Sequence, residues 1–157
     1  MKLHRLERRL TIEAPLDAVW SFFADPHNLA RITPPSLNLV VPPTVPHAVY
    51  PGMIIAYTVR PFAGFRTTWV TEITQVTEQA LFVDEQRFGP YRFWHHQHHF
   101  RAGDAGTEVL DLVHYALPLG PMGRLAHPLV VKSKLAEIFD GRLNALNAIF
   151  GTARVAV

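Results

Sequence analysis

The sequence predicts an α+β fold in which a curved antiparallel sheet wraps around one long C-terminal helix. Between residues 53 and 117, segments of alternating apolar and polar residues follow one another with short turns, which is typical of an antiparallel meander. Beyond residue 121 the apolar residues recur at helical spacing instead. A helix laid across the concave face of a curved sheet lets both patterns bury their apolar faces in one core.

The first 35 residues predict a strand followed by two short helices. Apolar and polar residues alternate over residues 6–12, which indicates a half-buried strand. Pro15 suits the first turn of a helix, and Asp25 before Pro26 is a second start signal, as N-cap and first helical residue. The second helix must end near Thr33, because a proline pair follows it.

The sheet is expected to resume with a short strand at 37–41 and a loop at 42–52. That loop is rich in proline, which disfavours regular structure. Turns at 61–64 and 89–90 and the AGDAG hairpin loop at 102–106 separate the later segments. The strands expected between these turns are 53–60, 65–76, 81–88, 92–101 and 107–117.

The last part of the chain predicts the long helix. Pro128 divides or kinks its beginning, and Gly151 suits its C-terminal cap. One helix cannot fill the whole concavity of a strongly bent sheet, so we expect a cavity between the helix and the sheet, where ligand pockets commonly occur. The apolar residues at helical spacing are Leu125, Leu129, Leu135, Phe139, Leu143, Leu146 and Phe150.

Residues 89–100, GPYRFWHHQHHF, carry the most informative pattern in the chain. Aromatic residues favour a strand here, and on a strand alternate side chains share one face. Large apolar residues at both ends mark one face as the inner one, so two imidazoles are expected inside the sheet, where each needs a polar partner. That inner face carries Trp94, His96, His98 and Phe100, and the outer face carries Phe93, His95, Gln97 and His99.

Composition narrows the class of protein. The chain has 157 residues, 48% of them hydrophobic and 18% charged, which fits one globular domain over residues 1–157. It has no cysteine, which excludes disulfides, thiolate zinc sites and cysteine nucleophiles. A formal net charge of only +2 does not indicate nucleic acid as a partner. No signal peptide and no apolar run of about 18 residues is visible, so we expect a cytoplasmic protein without stable membrane insertion; the oligomeric state is not indicated.

Three segments resemble the START-like superfamily, also called SRPBCC, whose members have the helix-grip fold. They are APLDAVWSFFADPHNLARITPP at 14–35, FVDEQRFGPYRFWHHQHHF at 82–100, and the D-x-V-x-Y-x-LP-x-G-x-x-G run at 111–123. The superfamily includes START lipid-transfer domains, polyketide cyclases and dehydrases, and coenzyme Q-binding proteins. The resemblance therefore implies a helix-grip domain that binds or carries a small hydrophobic molecule, lipid-, polyketide- or quinone-like.

The ligand site is predicted by phasing each strand on its apolar residues. The interior is then mostly apolar with one polar seam, and the two strands at 92–101 and 107–117 form a hairpin in which a histidine can face Asp111. Such a seam suits the polar end of an apolar ligand. The expected ligand-binding residues are Trp69, Ile73, Phe82, Asp84, Trp94, His96, His98, Phe100, Asp111, Val113, Tyr115, Leu135 and Phe139.

Other interpretations of the same seam stay open. It can be a purely structural network in which each imidazole satisfies a carboxylate. It can also be an acid–base pair of a cyclase- or dehydratase-type enzyme, with His98 and Asp111 as catalytic residues. A partner-binding module is a third class, since a related domain occurs fused to nucleotide-sugar-epimerase-like proteins.

A metal site at the seam is a further interpretation, with His96, His98 and Asp111 as the ligands. The sequence offers no second strong ligand pair, and it shows no phosphate loop or dinucleotide fingerprint. We therefore expect the protein to hold neither a stoichiometric metal ion nor a cofactor.

Overall fold

The structure, a computed structural model that describes residues 2–60, 65–118 and 131–155, has the predicted α+β architecture. Helix α1 spans Leu16–Phe23 and helix α2 spans Lys132–Phe150, and two 3₁₀ helices cover Pro26–Ile32 and Pro35–Leu37. The strands are β1 (His4–Ile12), β2 (Met53–Val59), β3 (Thr67–Thr77), β4 (Leu81–Phe88), β5 (Phe93–Gly103), β6 (Gly106–Ala116) and β7 (Ala153–Val155).

The strands form one antiparallel sheet in the order β2-β3-β4-β5-β6-β1-β7. β5 and β6 pair along their full length, and of the two histidines that the hairpin could place opposite Asp111, His96 and His98, the register selects His98. Burial alternates along β5, because successive side chains of a strand point to opposite faces. The predicted inner face is confirmed, with Trp94, His96, His98 and Phe100 all buried.

Helix α2 packs on the inner face of the sheet through one buried stripe. Leu135 and Phe139 contact the cluster around Trp94, and Leu146 contacts the cluster around α1. The helix ends at Gly151, which has φ 85° and donates its N–H to the Asn147 carbonyl at 2.9 Å, so the predicted cap is confirmed. Among the described residues, no helix combines the length and the apolar character that crossing a membrane requires. The predicted kink at Pro128, the apolar positions 125 and 129, and the turn at 61–64 lie outside the described residues.

One predicted strand is absent, and one observed strand was not predicted. The expected strand at 37–41 is absent, because the backbone leaves a 3₁₀ helix and then turns at Asn38, which has φ 42° and ψ 51°. A left-handed residue interrupts an extended chain, and only an isolated bridge from Val40 to Thr58 remains. Strand β7 was not predicted, since three residues are too short to show an alternation; it pairs with the end of β1.

One end of the interior is closed by helix α1. Trp20 meets Phe100 edge-on at 5.3 Å and Phe82 at 6.1 Å between ring centroids, and Phe23 also meets Phe100 at 5.3 Å. Such edge-to-face aromatic pairs fill space densely. The remaining space between α2 and the sheet is therefore concentrated over strands β2 to β5.

Candidate functional site

A cavity of about 170 Å³ lies between strands β2 to β5 on one side and helix α2 with the first 3₁₀ helix on the other. A single buried water needs roughly 10–15 Å³ measured in the same way, so the cavity has room for a small molecule. Its walls are mostly apolar, and a group of charged side chains and histidines lies where β4, β5 and α2 meet. Asp25, Asn28 and Thr33 add polar groups at the first 3₁₀ helix. The apolar lining includes Leu29, Ile32, Leu37, Ile55, Val59, Ile73, Phe82, Leu135, Ile138 and Phe139.

One wall of the cavity is built from aromatic rings around Trp69. Its ring lies 5.4 Å from Trp94, 5.6 Å from Tyr91 and 6.3 Å from Tyr57 between centroids. The Tyr57 hydroxyl and the Thr71 hydroxyl are 2.7 Å apart and hydrogen-bond each other. The indole Nε1 of Trp69 is buried and has no acceptor among the described residues. An unpaired buried donor of this kind calls for a partner that the described part of the chain does not supply.

The polar corner, which we call the buried cluster, consists of five side chains, four of them buried and Asp84 partly exposed at the cavity: Asp84, His96, His98, Asp111 and Arg142. The two imidazoles lie 3.7 Å apart between centroids, and each bridges the same two carboxylate oxygens. His96 places Nε2 2.8 Å from Asp111 Oδ1 and Nδ1 3.3 Å from Asp84 Oδ2. His98 places Nδ1 2.9 Å from Asp111 Oδ1 and Nε2 2.9 Å from Asp84 Oδ2. Both nitrogens of both rings are thus in contact with a carboxylate.

Arg142 closes the cluster from helix α2. Its Nη1 lies 3.3 Å from each oxygen of Asp111, and its guanidinium stands 4.9 Å above the Phe139 ring. Asp111 is fully buried and Arg142 is 6% exposed, so little water screens this pair. The contact with the Phe139 ring holds the Arg142 guanidinium at the cavity wall.

The cluster balances its own charges. Burial raises the pKa of both carboxyls, but the neighbouring cations and histidines outweigh it: His96 and His98 lower the pKa of Asp84, and Arg142 lowers that of Asp111 well below its ordinary value. Burial lowers the pKa of His96, and the adjacent His98 lowers it further. Burial also opposes protonation of His98, but its contacts with Asp111 and Asp84 prevail and raise its pKa. The two carboxylates therefore face one guanidinium and one imidazole that takes up a proton more readily than a free histidine does.

Nine of the thirteen sequence-predicted residues line the cavity. The other four do not line the cavity. Phe100 packs against α1, and Val113 and Tyr115 belong to the core cluster that contains Trp94. Asp111 contacts the histidines. All four share the inner face of the sheet but are covered by neighbouring side chains. The nine are Trp69, Ile73, Phe82, Asp84, Trp94, His96, His98, Leu135 and Phe139.

Sequence reasoning missed Arg142, Tyr57, Thr71 and Tyr91. Arg142 follows Leu135 by seven positions and Phe139 by three, so helical spacing alone places it on the buried stripe. A basic residue on an otherwise apolar helix face was the available signal for a buried ion pair. The Tyr57–Thr71 pair showed no such signal, because both residues are ordinary in exposed strands.

Asp84, His96 and His98 each place a possible metal-ligand atom within 4.8 Å of the others. The nitrogens of both imidazoles already contact carboxylates, and Arg142 holds a positive charge beside them. A bound cation would have to displace the contacts of His98 with both carboxylates and lie beside the Arg142 guanidinium. The donor set therefore suits a proton better than a metal ion.

A second group of histidines and a carboxylate lies at the rim of the cavity. We call it the surface cluster: Asp25, His27 and His47. Asp25 accepts contacts from Nδ1 of His27 at its Oδ1 and from Nδ1 of His47 at its Oδ2, both at 3.0 Å. Asp25 itself lines the cavity, whereas the His47 side chain is 78% exposed.

Comparisons with known proteins agree with this architecture. Residues 12–135 match a family described as polyketide cyclase / dehydrase and lipid transport. The fold is similar to that of protein Ms6760 from Mycobacterium smegmatis, with a TM-score of 0.66 and 20% identity over 95% of this chain and 96% of that one. It is also similar to protein CV1439 from Chromobacterium violaceum (TM-score 0.69, 16% identity, 97% and 99% covered).

A third similar structure is the ginseng major latex-like protein 151 from Panax ginseng (TM-score 0.64, 13% identity, 94% and 97% covered). At these identities the likeness establishes the helix-grip fold and nothing about ligands. No curated protein matches the chain in sequence.

Proposed function

The chain belongs to the polyketide cyclase/dehydrase and lipid transport family of the SRPBCC superfamily, and from that premise we propose that it binds a small hydrophobic molecule in the cavity between the sheet and helix α2. The observation that carries the proposal is an apolar cavity of about 170 Å³ with one polar corner. Ligand pockets typically combine apolar walls with a few polar groups that orient the ligand.

The walls favour a flat, oxygenated ring compound over a saturated chain. Trp69, Tyr91 and Trp94 present ring faces and edges at centroid distances of 4.8 to 5.6 Å from one another, and aromatic side chains pack well against aromatic ligands. The unpaired Trp69 Nε1 can donate to a ligand carbonyl. Asp84 also lines the cavity, and among the described residues its contacts with both histidines use Oδ2, so Oδ1 can accept from a ligand hydroxyl.

The geometry favours binding over acid–base catalysis by His98. A general base needs a free nitrogen within hydrogen-bond reach of the substrate. His98 Nε2 hydrogen-bonds with Asp84 Oδ2 at 2.9 Å, whereas Nδ1 lies 2.9 Å from Asp111 Oδ1 without the alignment of a hydrogen bond. Both carboxylates raise the pKa of His98, which favours the form that has no lone pair to offer. Asp111 lies behind the histidines and away from the cavity surface.

Filling the cavity should abolish binding without unfolding the protein. Leu135 is buried on the α2 face of the cavity, so Leu135→Trp places an indole into the ligand space. Titration with the environment-sensitive dye Nile red should show about one site per chain in the wild type and none in the variant. Asp140→Trp, at an exposed position of the same helix, is the matched control and should bind as the wild type does.

Two outcomes contradict the proposal. Either the wild-type protein does not bind the dye saturably, or Leu135→Trp, verified as folded by circular dichroism, binds it as well as Asp140→Trp.

Displacement of the dye then tests the ligand class: a naphthoquinone should compete at lower concentration than a saturated fatty acid of equal carbon number. The reverse ranking would reject the ring compound while keeping the cavity.

Trp69→Phe tests the carbonyl contact separately. The substitution keeps an aromatic ring in the wall and removes the only hydrogen-bond donor of the indole. We expect quinone affinity to fall by about 0.5–1.5 kcal/mol, the net value of a typical hydrogen bond. Competition titrations measure this loss, and an unchanged affinity would show that the ligand oxygen lies elsewhere.

A further inference from the structure

We propose that the surface cluster of Asp25, His27 and His47 is a binding site for a divalent transition-metal ion, with zinc as its probe. Two imidazoles and a carboxylate are a ligand set that suits zinc, nickel or copper. The proposal concerns neither the cavity ligand nor the buried histidines, and it stands independently of the proposed function.

The oxygens of Asp25 and the Nδ1 atoms of His27 and His47 lie close together in the structure. Asp25 Oδ1 lies 3.0 Å from His27 Nδ1, and Asp25 Oδ2 lies 3.0 Å from His47 Nδ1. Two ligands of a tetrahedral zinc ion with bonds of about 2.0–2.1 Å are about 3.3 Å apart, which is close to these spacings. One donor atom from each of the three residues lies within 4.8 Å of the others, and the two imidazole rings stack at 4.4 Å with 29° between their planes. Small rotations of the exposed His47 complete the approach.

The backbone holds two of the ligands in place before any ion arrives. Asp25 caps the first 3₁₀ helix by accepting the His27 N–H at 2.9 Å, so the carboxylate and the first imidazole are fixed relative to each other. His47 comes from the proline-rich loop, which is tied to the same turn because the Val49 N–H donates to the Ala24 carbonyl at 2.9 Å. Preorganised ligands lose less freedom when they bind.

The charge of the site also suits a cation. Asp25 contributes a carboxylate, which is ionised at neutral pH for an ordinary Asp, and both of its oxygens already contact an imidazole. Among the described residues, no Lys or Arg side chain forms an ion pair with Asp25. The exposure of His47 leaves room for water molecules at the remaining coordination positions.

The site joins the turn after α1 to the loop before β2, and both segments border the cavity. A metal ion that binds the folded chain and not the unfolded one stabilises it by mass action. We therefore expect zinc to raise the melting temperature as well as to bind.

The experiment titrates zinc chloride into chelator-treated protein at neutral pH by calorimetry, with melting temperatures measured in parallel. The wild type should bind one zinc ion per chain and melt at a higher temperature with zinc. His47→Gln and His27→Gln should each weaken binding by at least about tenfold, the least that disturbing a metal ligand costs. His114→Gln, on the outer face of β6, is the control and should retain full affinity.

His98→Gln distinguishes the two histidine clusters. If the proposal is right, this variant binds zinc like the wild type, provided that it is folded. The proposal is overturned if the wild type binds no zinc, or if His47→Gln, whose exposed position makes misfolding no concern, binds it unchanged. It is also overturned if zinc binding is lost in His98→Gln alone, since the ion would then occupy the buried cluster.

Discussion

The buried cluster and the surface cluster contain the same kinds of side chain in opposite surroundings. In each, one carboxylate receives two histidines, Asp84 in the first and Asp25 in the second, at contact distances of 2.9 to 3.3 Å and 3.0 Å. The buried cluster adds Asp111 and Arg142, and its histidine side chains are at most 8% exposed. The surface cluster has no such additions among the described residues, and one of its histidines lies largely in water.

The difference shows what burial demands of a charged group. A charge transferred out of water must be paired, because the low-dielectric interior does not solvate it. The buried cluster meets this demand with a second carboxylate, a guanidinium and an imidazole, His98, whose pKa the two carboxylates raise. In the surface cluster water screens the charges, so its members are free to exchange a proton for a metal ion. Four predictions test this contrast, in order of decreasing effect.

Arg142→Met should give the largest loss of stability. It removes the cation from a fully buried carboxylate, and breaking a buried pair in this way costs about 3–5 kcal/mol. Urea unfolding measures the free energy directly. Arg101→Met, which breaks the exposed pair with Glu108, is the control and should leave the stability unchanged within error. Equal effects of the two substitutions would contradict the account of the buried cluster.

His98→Gln and His47→Gln should differ although the chemical change is identical. The first leaves buried carboxylates without their donor and should cost about 1–3 kcal/mol of unfolding free energy. The second alters an exposed side chain and should change it by no more than about 0.5 kcal/mol when a chelator is present. Both values come from urea unfolding at one pH. A loss for His47→Gln as large as that for His98→Gln would remove the distinction between the clusters.

Asp111→Asn should partly rescue Arg142→Met. The double variant keeps Asp84 opposite His98, so the remaining buried charges balance again. We expect a coupling free energy of about 0.5–3 kcal/mol between the two substitutions, as contacting residues show. A double-mutant cycle measures it, and strict additivity would show that Asp111 and Arg142 do not sense each other.

The stability difference between the wild type and His98→Gln should depend on pH. The contacts with Asp111 and Asp84 raise the pKa of His98 above the ordinary value of about 6.5, so the folded state binds its proton more tightly than the unfolded state does. Its stabilising contribution is therefore complete below pH 6.5 and is lost as the pH rises through the folded-state pKa. Unfolding measured from about pH 6 to pH 9 should show the gap narrowing toward the alkaline side. A gap that widens would mean that His98 is neutral in the fold.

Local sequence patterns predicted most of the fold and the inward histidines. The alternation along β5 assigned His96 and His98 to the inner face, and the AGDAG hairpin predicted that one of them faces Asp111, which in the structure is His98. Both inferences rest on interactions between residues close in the chain. The same reasoning was wrong at 37–41, because it could not foresee the left-handed turn at Asn38.

Which inner-face residues line the cavity could not be predicted from the strand patterns alone. Phe100 and Val113 share the inner face with Trp94, yet α1 and neighbouring side chains cover them. A strand pattern tells which face a residue occupies, but it does not tell whether a helix from elsewhere in the chain fills the space above it. The Trp69 Nε1 without an acceptor is visible only once the surrounding walls are known.

Periodicity and hairpin pairing act over short distances along the chain. They were therefore enough to predict the α+β class, the inner face of the sheet and two histidines beside a carboxylate. Other contacts became visible only in the packed fold. Arg142, 31 residues beyond Asp111, completes the buried cluster, and His27 and His47 meet at Asp25. The packed fold also decided that the pKa values of His96 and His98 shift in opposite directions, since each shift is the sum of burial and of charges brought together from separate strands and helix α2.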